Sequence, residues 1–400
     1  MRTAIAAALS LCAVLVPLVA KADRADDLIA ALKSSSVAAR ANAAEALNKL
    51  ADPRALPALL QALGDPVESV RKQALRAAAT TLQKDKVDLP RVAALLADVD
   101  ANRRAAAAQL LGIYPVKTYV GQLEKATHDA SAAVRAAASE ALGATGDTAA
   151  ARSLENLLND ASARVRLQAV TALGALRDPQ ASAKLLPLLR DKEAQVRANA
   201  AVAIARIGNP AVAPDLIRIL NDKRTAVDSN VRFYASYALG ALGDHRATPA
   251  LIEAIKSKDY LIRSQAAQAI GHLKETRGVP ALTHALAADQ SELVRWCSAQ
   301  ALGNIGDPKA VQPLIRGLKD KNEDVREQSA KALGRLQAKA AVGPLIAALD
   351  DSDEAIPKAA VLALGRIGDR SALPALRRML KHSDATVRQA AADVISRFSL

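Results

Sequence analysis

A single arginine position recurs along the chain and is the first candidate for chemistry. It follows a hydrophobic residue in most copies, as in Val70-Arg71 and Val325-Arg326. The position falls at residues 40, 71, 104, 135, 166, 197, 232, 263, 295, 326, 357 and 388, with proline at 357. A row of guanidinium groups is suited to phosphate binding, because each presents a planar fork of donors. Alternatively, each arginine pairs with an aspartate of a neighbouring turn, of which Asp160, Asp191 and Asp320 are examples. A place in nearly every copy favours the structural pairing.

The positions that vary from copy to copy are the candidates for binding a partner. Counted from the arginine, positions +1, +5 and +9 are about one helical turn apart and form one stripe. Five of the eight aromatic residues (one Trp, five Tyr and two Phe) lie between residues 233 and 296, and Trp, Tyr and Arg dominate binding energy at protein interfaces. The stripe predicts an exposed groove lined by Phe233, Tyr237, Gln268, His272, Trp296, Gln300, Lys331 and Arg335. The alternative is that the large residues only shield the packing between helices.

The composition predicts that helices present these residues. Hydrophobic residues make up 51% of the chain but aromatic residues only 2%, so the apolar content is nearly all Ala, Leu, Val and Ile. Ala and Leu are among the strongest helix formers, whereas a large globular core would use more aromatic side chains. Consecutive arginine positions are 31 to 35 residues apart, which is the length of a two-helix repeat. The chain therefore contains about twelve such repeats.

Each repeat carries start and stop signals for its second helix. A residue that can cap a helix N-terminus stands four positions before the arginine in ten copies, at Ser36, Asp100, Ser131, Ser162, Asp228, Asp259, Ser291, Asn322, Asp353 and Asp384. Small or apolar residues at +3, +4 and +7 have the spacing of a buried helical face. Gly-Asp pairs such as Gly306-Asp307 and Gly368-Asp369 then end the hairpin.

Two irregularities interrupt the period. The longest step places an insertion around Asn221 to Asp228, just before the aromatic residues, and inserted loops on one edge of a repeat stack often carry binding determinants. Pro187 aligns with the middle of a first helix, where proline kinks or breaks the helix.

The repeated pattern Val-Arg-x-x-Ala-Ala-x-Ala-Leu-Gly resembles the HEAT-like repeats first described in phycobilisome linker-chromophore lyases. The motif is nearly literal from Val325 to Gly334 and from Val196 to Gly208. The resemblance covers residues 24–400 and implies an all-α fold, a right-handed α-solenoid of stacked two-helix repeats whose second helices line the concave surface. It implies little about function, because functional residues in solenoids lie at variable positions. HEAT-repeat deoxyhypusine hydroxylases bind iron through His-Glu pairs, and none of the five histidines here is followed by glutamate.

The N-terminus has the pattern of a signal for export. Arg2 precedes an uncharged stretch from Ala4 to Ala20, and Ala20-Lys21-Ala22 matches a cleavage signature. We therefore expect residues 1–22 to be a signal peptide and residues 23–400 to be the repeat domain of an exported, periplasmic protein. The alternatives are an uncleaved membrane anchor and a first helix packed into the stack. No other segment is long and apolar enough to span a bilayer.

The sequence favours a binding function over catalysis. No acid–base pair, nucleophile triad, phosphate-binding loop or metal cluster emerges, and Cys297 is the only cysteine after residue 22. We expect a non-catalytic scaffold or adaptor, without cofactor or metal, that binds a protein or peptide on the concave face. The net charge of +13 favours an acidic partner, while export disfavours nucleic acid. The alternatives are a chromophore-lyase-like or other enzyme-associated protein and, without export, a nucleic-acid binder whose affinity falls steeply with salt.

Overall fold

The regular structure consists of helices arranged as two-helix repeats. The computed structural model describes residues 24–84, 88–222 and 229–398, and within these ranges it contains no β-strand. The described ranges hold twenty-four α-helices that follow one another as twelve hairpins, each with a short first helix and a longer second helix. A 3-10 turn precedes most first helices, as at Pro53–Ala55. The all-α, two-helix repeat predicted from the sequence is confirmed.

The hairpins fall into two compact units, and the first unit ends at Ala181. Its five hairpins are built from α1 (24–31), α2 (Val37–Leu50), α3 (Leu56–Ala62), α4 (Glu68–Lys84), α5 (Leu89–Ala94), α6 (Ala101–Ile113), α7 (Val120–Ala126), α8 (Ala132–Thr145), α9 (Ala151–Asn156) and α10 (Ala163–Leu176). The even-numbered helices are the second helices and carry the repeated arginine.

The second unit begins at Ser182. Its seven hairpins are built from α11 (Ser182–Leu185), α12 (Ala194–Ile207), α13 (Ala213–Asn221), α14 (Ser229–Leu242), α15 (Thr248–Ala254), α16 (Tyr260–His272), α17 (Val279–Ala288), α18 (Glu292–Ile305), α19 (Val311–Gly317), α20 (Glu323–Arg335), α21 (Val342–Ala347), α22 (Ala355–Ile367), α23 (Leu373–Met379) and α24 (Ala385–Phe398). The predicted break at Pro187 is present, because α11 is only four residues long and a 3-10 helix, Leu186–Arg190, follows it.

The capping residues of the second helices largely match the sequence prediction. A side-chain oxygen accepts a hydrogen bond from an N–H of the first turn at Ser36, Asp100, Asp259, Asn322 and Asp384. Ser131, Ser162 and Ser291 occupy the N-cap position, but their side chains accept no capping hydrogen bond. In α22 the N-cap position is Glu354, whose side chain makes no capping hydrogen bond, while the Asp353 carboxylate accepts a hydrogen bond from the N–H of Ala355. Asp228 lies outside the described residues.

Glycines end several second helices, as predicted. Gly306 and Gly368 follow α18 and α22 with φ values of 80° and 72°, in the left-handed region that closes a helix C-terminus. This conformation disfavours residues with a Cβ atom. The adjacent Asp307 and Asp369 then begin the turn into the next hairpin and cap its 3-10 helix.

Consecutive second helices touch along a seam of glycine and alanine. Glycine at +8 of one helix lies against the residue at +6 of the next, which is alanine in most copies. A Cβ atom added at Gly271 would lie 2.7 Å from the Cα atom of Ala301, closer than any normal contact. The same contact occurs between Gly143 and Ala172, Gly240 and Ala269, Gly303 and Ala332, and Gly334 and Ala363. The small residues at +6 and +8 therefore let the backbones of the second helices approach closely.

Open grooves lie between some neighbouring first helices. Their volumes are about 540 Å³ between α5 and α7 in the first unit and about 690 Å³ between α15 and α17 in the second. The concave position of the second helices, expected from the family resemblance, stays a prediction.

The repeated arginine joins consecutive repeats by hydrogen bonds. In α8, Arg135 Nη1 donates to the carbonyl oxygens of Asp129 and Ala130, at 2.8 and 3.0 Å. Its Nε and Nη2 atoms donate to both carboxylate oxygens of Asp160 in the next repeat, at 2.7 and 2.9 Å. The same bidentate pair, in which Nε and Nη2 donate to the two carboxylate oxygens, forms at Arg40–Asp65, Arg104–Asp129, Arg263–Asp289, Arg295–Asp320 and Arg326–Asp351. In these pairs the structural interpretation of the arginine is confirmed.

These pairs are more buried than ordinary surface ion pairs. Their aspartate side chains are only 7% to 15% exposed, so removing an arginine would leave a poorly hydrated carboxylate. The hydrogen bond from Arg135 is the main reason that the pKa of Asp160 lies below its ordinary value. Burial opposes this shift, and the N–H of Ser162 reinforces it. Asp65 and Asp129 have lowered pKa values for the same reasons.

The glycine seam leads to a first prediction. Replacing Gly271→Ala forces a methyl group against the Ala301 backbone, and overpacking of this kind costs about 1–3 kcal/mol. Gly343→Ala is the matched control, because a Cβ atom there meets nothing within 4 Å; it should be neutral or stabilise by up to about 1 kcal/mol. Thermal unfolding followed by circular dichroism measures both. Equal melting temperatures for the two variants would contradict the close packing of Gly271 against Ala301.

The arginine–aspartate pairs lead to a prediction about acid. Because the folded pKa values of Asp65, Asp129 and Asp160 lie below the unfolded value of about 3.9, their stabilisation is complete above that pH and is lost as the pH falls through the folded pKa values. The melting temperature should therefore drop below about pH 4, and Arg135→Gln should make the drop shallower. Arg152→Gln, on the exposed side of α9, should keep the slope of the unmodified protein. If the melting temperature fell equally steeply with pH in both variants, the acid sensitivity would not come from the arginine–aspartate pairs.

Candidate protein-binding surface

The stripe predicted from the sequence lies on the second helices of the second unit, and its exposure varies with position. We call the surface formed by α14, α16, α18, α20 and α22 the second-helix face. His272 and Arg335, at +9, and Lys331, at +5, are exposed. The other predicted residues, all at +1 or +5, are half-buried: Phe233, Tyr237, Gln268, Trp296 and Gln300. The structure therefore places the predicted residues on the predicted helices, but five of the eight side chains are partly covered.

The aromatic residues of α14 partly pack on each other. The rings of Phe233 and Tyr234 meet edge to face, with centroids 5.3 Å apart and an interplanar angle of 82°. This arrangement is favourable for aromatic pairs. The five clustered aromatics differ in exposure: Tyr260 is exposed, while Phe233, Tyr234, Tyr237 and Trp296 are half-buried. The packing alternative thus accounts for part of the aromatic area.

Exposed apolar residues collect where α16 and α18 begin. Tyr260, Leu261 and Leu293 are 48%, 37% and 39% exposed, although side chains of this size are usually buried. Together with Trp296 they form what we call the apolar edge. Trp296 and Leu293 also line an open groove of about 450 Å³, whose other walls are Glu292, Asn322 and Asp324.

The two leucines of the apolar edge were missed by the sequence analysis, although the sequence contains a signal. Both lie two positions before the repeated arginine. In the other ten copies this position holds Ala, Ser, Asn, Arg, Gln, Asp or Thr. Leu261 and Leu293 are therefore departures from the repeat in two consecutive copies. Comparing every position across the copies, rather than only +1, +5 and +9, would have found them.

The amide side chains at +5 lie toward the next second helix. Gln268 Nε2 approaches the Sγ atom of Cys297, at position +2 of α18, at 3.4 Å. Cys297 is buried, and burial raises its thiol pKa to about 11, an effect that the Gln268 hydrogen bond only partly opposes. The thiol is therefore a packing group that does not ionise near neutral pH. The equivalent position in α20 is Gln328, whose buried Nε2 has no hydrogen-bond partner among the described residues.

The basic residues of the predicted stripe differ in their partners. Lys331 Nζ lies 2.7 Å from the carboxylate of Glu327, one turn earlier on α20. Arg335 lies across Gly303 of the preceding second helix, with its Nε atom 3.1 Å from where a Cβ atom would stand. The pKa of Arg335 is lowered, first because this position shields the guanidinium from water and second because Arg366 is nearby. Lys331 is thus partly neutralised, while Arg335 faces a like charge.

The described residues offer little that points to metal chemistry or membrane insertion. Within residues 24–84, 88–222 and 229–398, no three His, Cys, Asp or Glu side chains lie close enough together to hold a metal ion. None of the helices in this part of the chain combines the length and apolarity that crossing a bilayer requires.

Comparisons with known proteins agree with this geometry. The family model described as HEAT repeats matches nine overlapping segments, from residues 25–112 to residues 312–396. The chain belongs to the HEAT repeat family. No curated protein matches the sequence.

Several solved structures share the fold at low sequence identity. They include the Kap95:Nup1 complex (TM-score 0.70, 15% identity, covering 94% of this chain and 63% of that chain) and Kap95p bound to RanGDP (TM-score 0.68, 15%, 94% and 62%). Yeast importin-beta (Kap95p) itself gives a TM-score of 0.65 at 15% identity, with 94% and 60% covered. The chain spans about three fifths of the length of these proteins. At this identity the likeness shows the α-solenoid fold alone.

Proposed function

We propose that this HEAT repeat protein is an exported, non-catalytic scaffold that binds a protein or peptide on the second-helix face of its second unit. The observation that carries the proposal is the apolar edge: Tyr260, Leu261 and Leu293 are exposed, and Leu293 and Trp296 line an open groove. Exposed apolar patches rimmed by polar residues are typical of interaction sites. Here the rim consists of Glu292, Asn322 and Asp324.

The energetics of interfaces support this location. A tryptophan that is already half-buried in a groove loses little conformational freedom when a partner covers it, and such anchors contribute most of the binding energy. The close packing of α16 and α18 through Gly271 and Ala301 holds the two halves of the apolar edge at a fixed spacing. A rigid edge of this kind suits a short partner segment with apolar side chains.

Solved structures with this fold support protein binding by analogy. Solenoids of this architecture are found in complexes with Nup1 and with RanGDP, so the architecture is compatible with protein binding. The analogy does not identify the partner, because function in solenoids depends on individual side chains. The net charge of +13 adds that an acidic partner is favoured.

The test uses peptides selected from a random library displayed on phage against the purified protein. We expect Trp296→Ala to weaken binding of a selected peptide at least about thirtyfold, since losing a central aromatic anchor commonly costs about 2 kcal/mol. Leu293→Ser should also weaken it without lowering the melting temperature, because Leu293 is exposed. Calorimetry measures the affinities.

Tyr119→Ala provides a matched control for this test. Tyr119 is a half-buried aromatic residue that lines a groove between the first helices α5 and α7. Its replacement should leave the affinity unchanged. Selected peptides that bind both apolar-edge variants as tightly as the unmodified protein would contradict the proposed surface.

Export is proposed from the N-terminal sequence, which lies outside the described residues. Arg2, the uncharged stretch after it and Ala20-Lys21-Ala22 form the pattern of a cleaved signal. We expect N-terminal sequencing of the native protein to begin at Asp23, in a fraction outside the cytoplasm. Recovery of Met1 from a soluble cytoplasmic fraction would contradict export without affecting the proposed binding surface.

A further inference from the structure

Two arginines of the second-helix face occupy equivalent positions on adjacent helices, and Arg397 holds the same position on the next second helix, α24. Arg335 is at +9 of α20, and Arg366 is at +9 of α22. The helices are in close contact there, since a Cβ atom at Gly334 would lie 2.8 Å from the Cα atom of Ala363. The pKa of Arg335 is lowered mainly by burial and further by the positive charge of Arg366, so the two guanidinium groups are close enough to interact.

This pair differs from the other arginines that the structure brings near acidic groups. The repeated arginines are paired with aspartates, and on the first-helix side Arg378 is paired with Asp350 at 2.9 Å. Among the described residues neither Arg335 nor Arg366 has an ion-pair partner. Asp393 is at +5 of the next second helix, but its carboxylate accepts a hydrogen bond from Gln389 at 2.8 Å. The two positive charges are therefore left without a carboxylate.

We propose that Arg335 and Arg366 bind carboxylate side chains of an acidic peptide segment. The guanidinium fork matches a carboxylate with two parallel hydrogen bonds, and a bound anion relieves the repulsion between the two arginines. Exposed Leu362, one turn before Arg366, supplies an apolar contact beside the charges. The inference rests on the proposed function, because it assigns the chemistry of the partner on the same second-helix face.

The surroundings favour an acidic peptide over nucleic acid. Nucleic-acid binding relies on many basic groups along a phosphate backbone, commonly about six to ten contacts. Here Glu327 neutralises Lys331 beside Arg335, and Asp393 lies one turn before Arg397, the +9 residue of the next second helix. A long polyanion that follows several helices would meet these carboxylates, whereas a short acidic peptide that spans only Arg335 and Arg366 can avoid them.

The experiment measures fluorescence anisotropy of a fluorescein-labelled oligoglutamate peptide mixed with the purified protein. Arg335→Gln and Arg366→Gln should each weaken binding about tenfold, and the double variant at least about thirtyfold, as expected for losing hydrogen bonds between charged groups. The matched control is the double variant Arg316→Gln with Arg377→Gln. It removes the same charge from exposed positions of the first helices α19 and α23, so its affinity should change less than about twofold.

Three outcomes would overturn the proposal. The first is no oligoglutamate binding to the unmodified protein, and the second is equal weakening in the control double variant, which would indicate only a general charge effect. The third is tighter binding of an equally charged oligo(dT) that depends on the same two arginines, which would indicate a nucleic-acid site. Because oligoglutamate binding does not require Trp296, each result is independent of whether the apolar edge binds its own peptides. Circular dichroism of each variant verifies that the exposed substitutions leave the fold intact.

Discussion

Consecutive second helices approach each other until a glycine of one lies against an alanine of the next, and the other contacts between repeats depend on this distance. At Gly271 there is no room for a single methyl group before the Ala301 backbone is reached. Backbones held this close bring the inter-helix turns of neighbouring repeats together. Arg295 can then reach both carboxylate oxygens of Asp320 while still donating to the carbonyl of Asp289 in its own turn. The first helices lack such a seam, and grooves remain between them.

Features that recur in every repeat could be predicted from the sequence. The pairing of Arg135 with Asp160 was visible because both residue types return at fixed places in the period. The glycines that end α18 and α22 and the break at Pro187 follow from backbone preferences that act locally. The sequence repeat does not predict how exposed an individual side chain is. Phe233 and Trp296 are half-buried because neighbouring side chains cover them. Their place in the repeat, +1, does not show which side chains will pack around them.

The residues proposed for binding show the same division. The sequence period correctly placed them on the second helices, whereas their role in binding stays a prediction. The stripe nevertheless treated Lys331 and Arg335 as equivalent, although Glu327 one turn before Lys331 already indicated an ion pair on the same helix. Leu261 and Leu293 lie before the first of these positions and were not considered. The proposed site therefore depends on departures from the repeat, and these are recognised only when each copy is compared with all others.

Each arginine–aspartate pair joins two consecutive hairpins. The loss or duplication of a hairpin during evolution therefore changes which arginine meets which aspartate. Where a hairpin carries both residues at the paired positions, removing or duplicating it still joins an arginine to an aspartate, provided that the cut preserves the register. A hairpin with an altered partner breaks this interchangeability, as does the one with Ser257 at the aspartate position that follows Arg232. Pro357 stands at an arginine position, and the aspartate position that would receive it in the next repeat holds His382. The last two hairpins are thus matched to each other, and exchanging either with a hairpin that carries both residues would leave a carboxylate or a guanidinium unpaired.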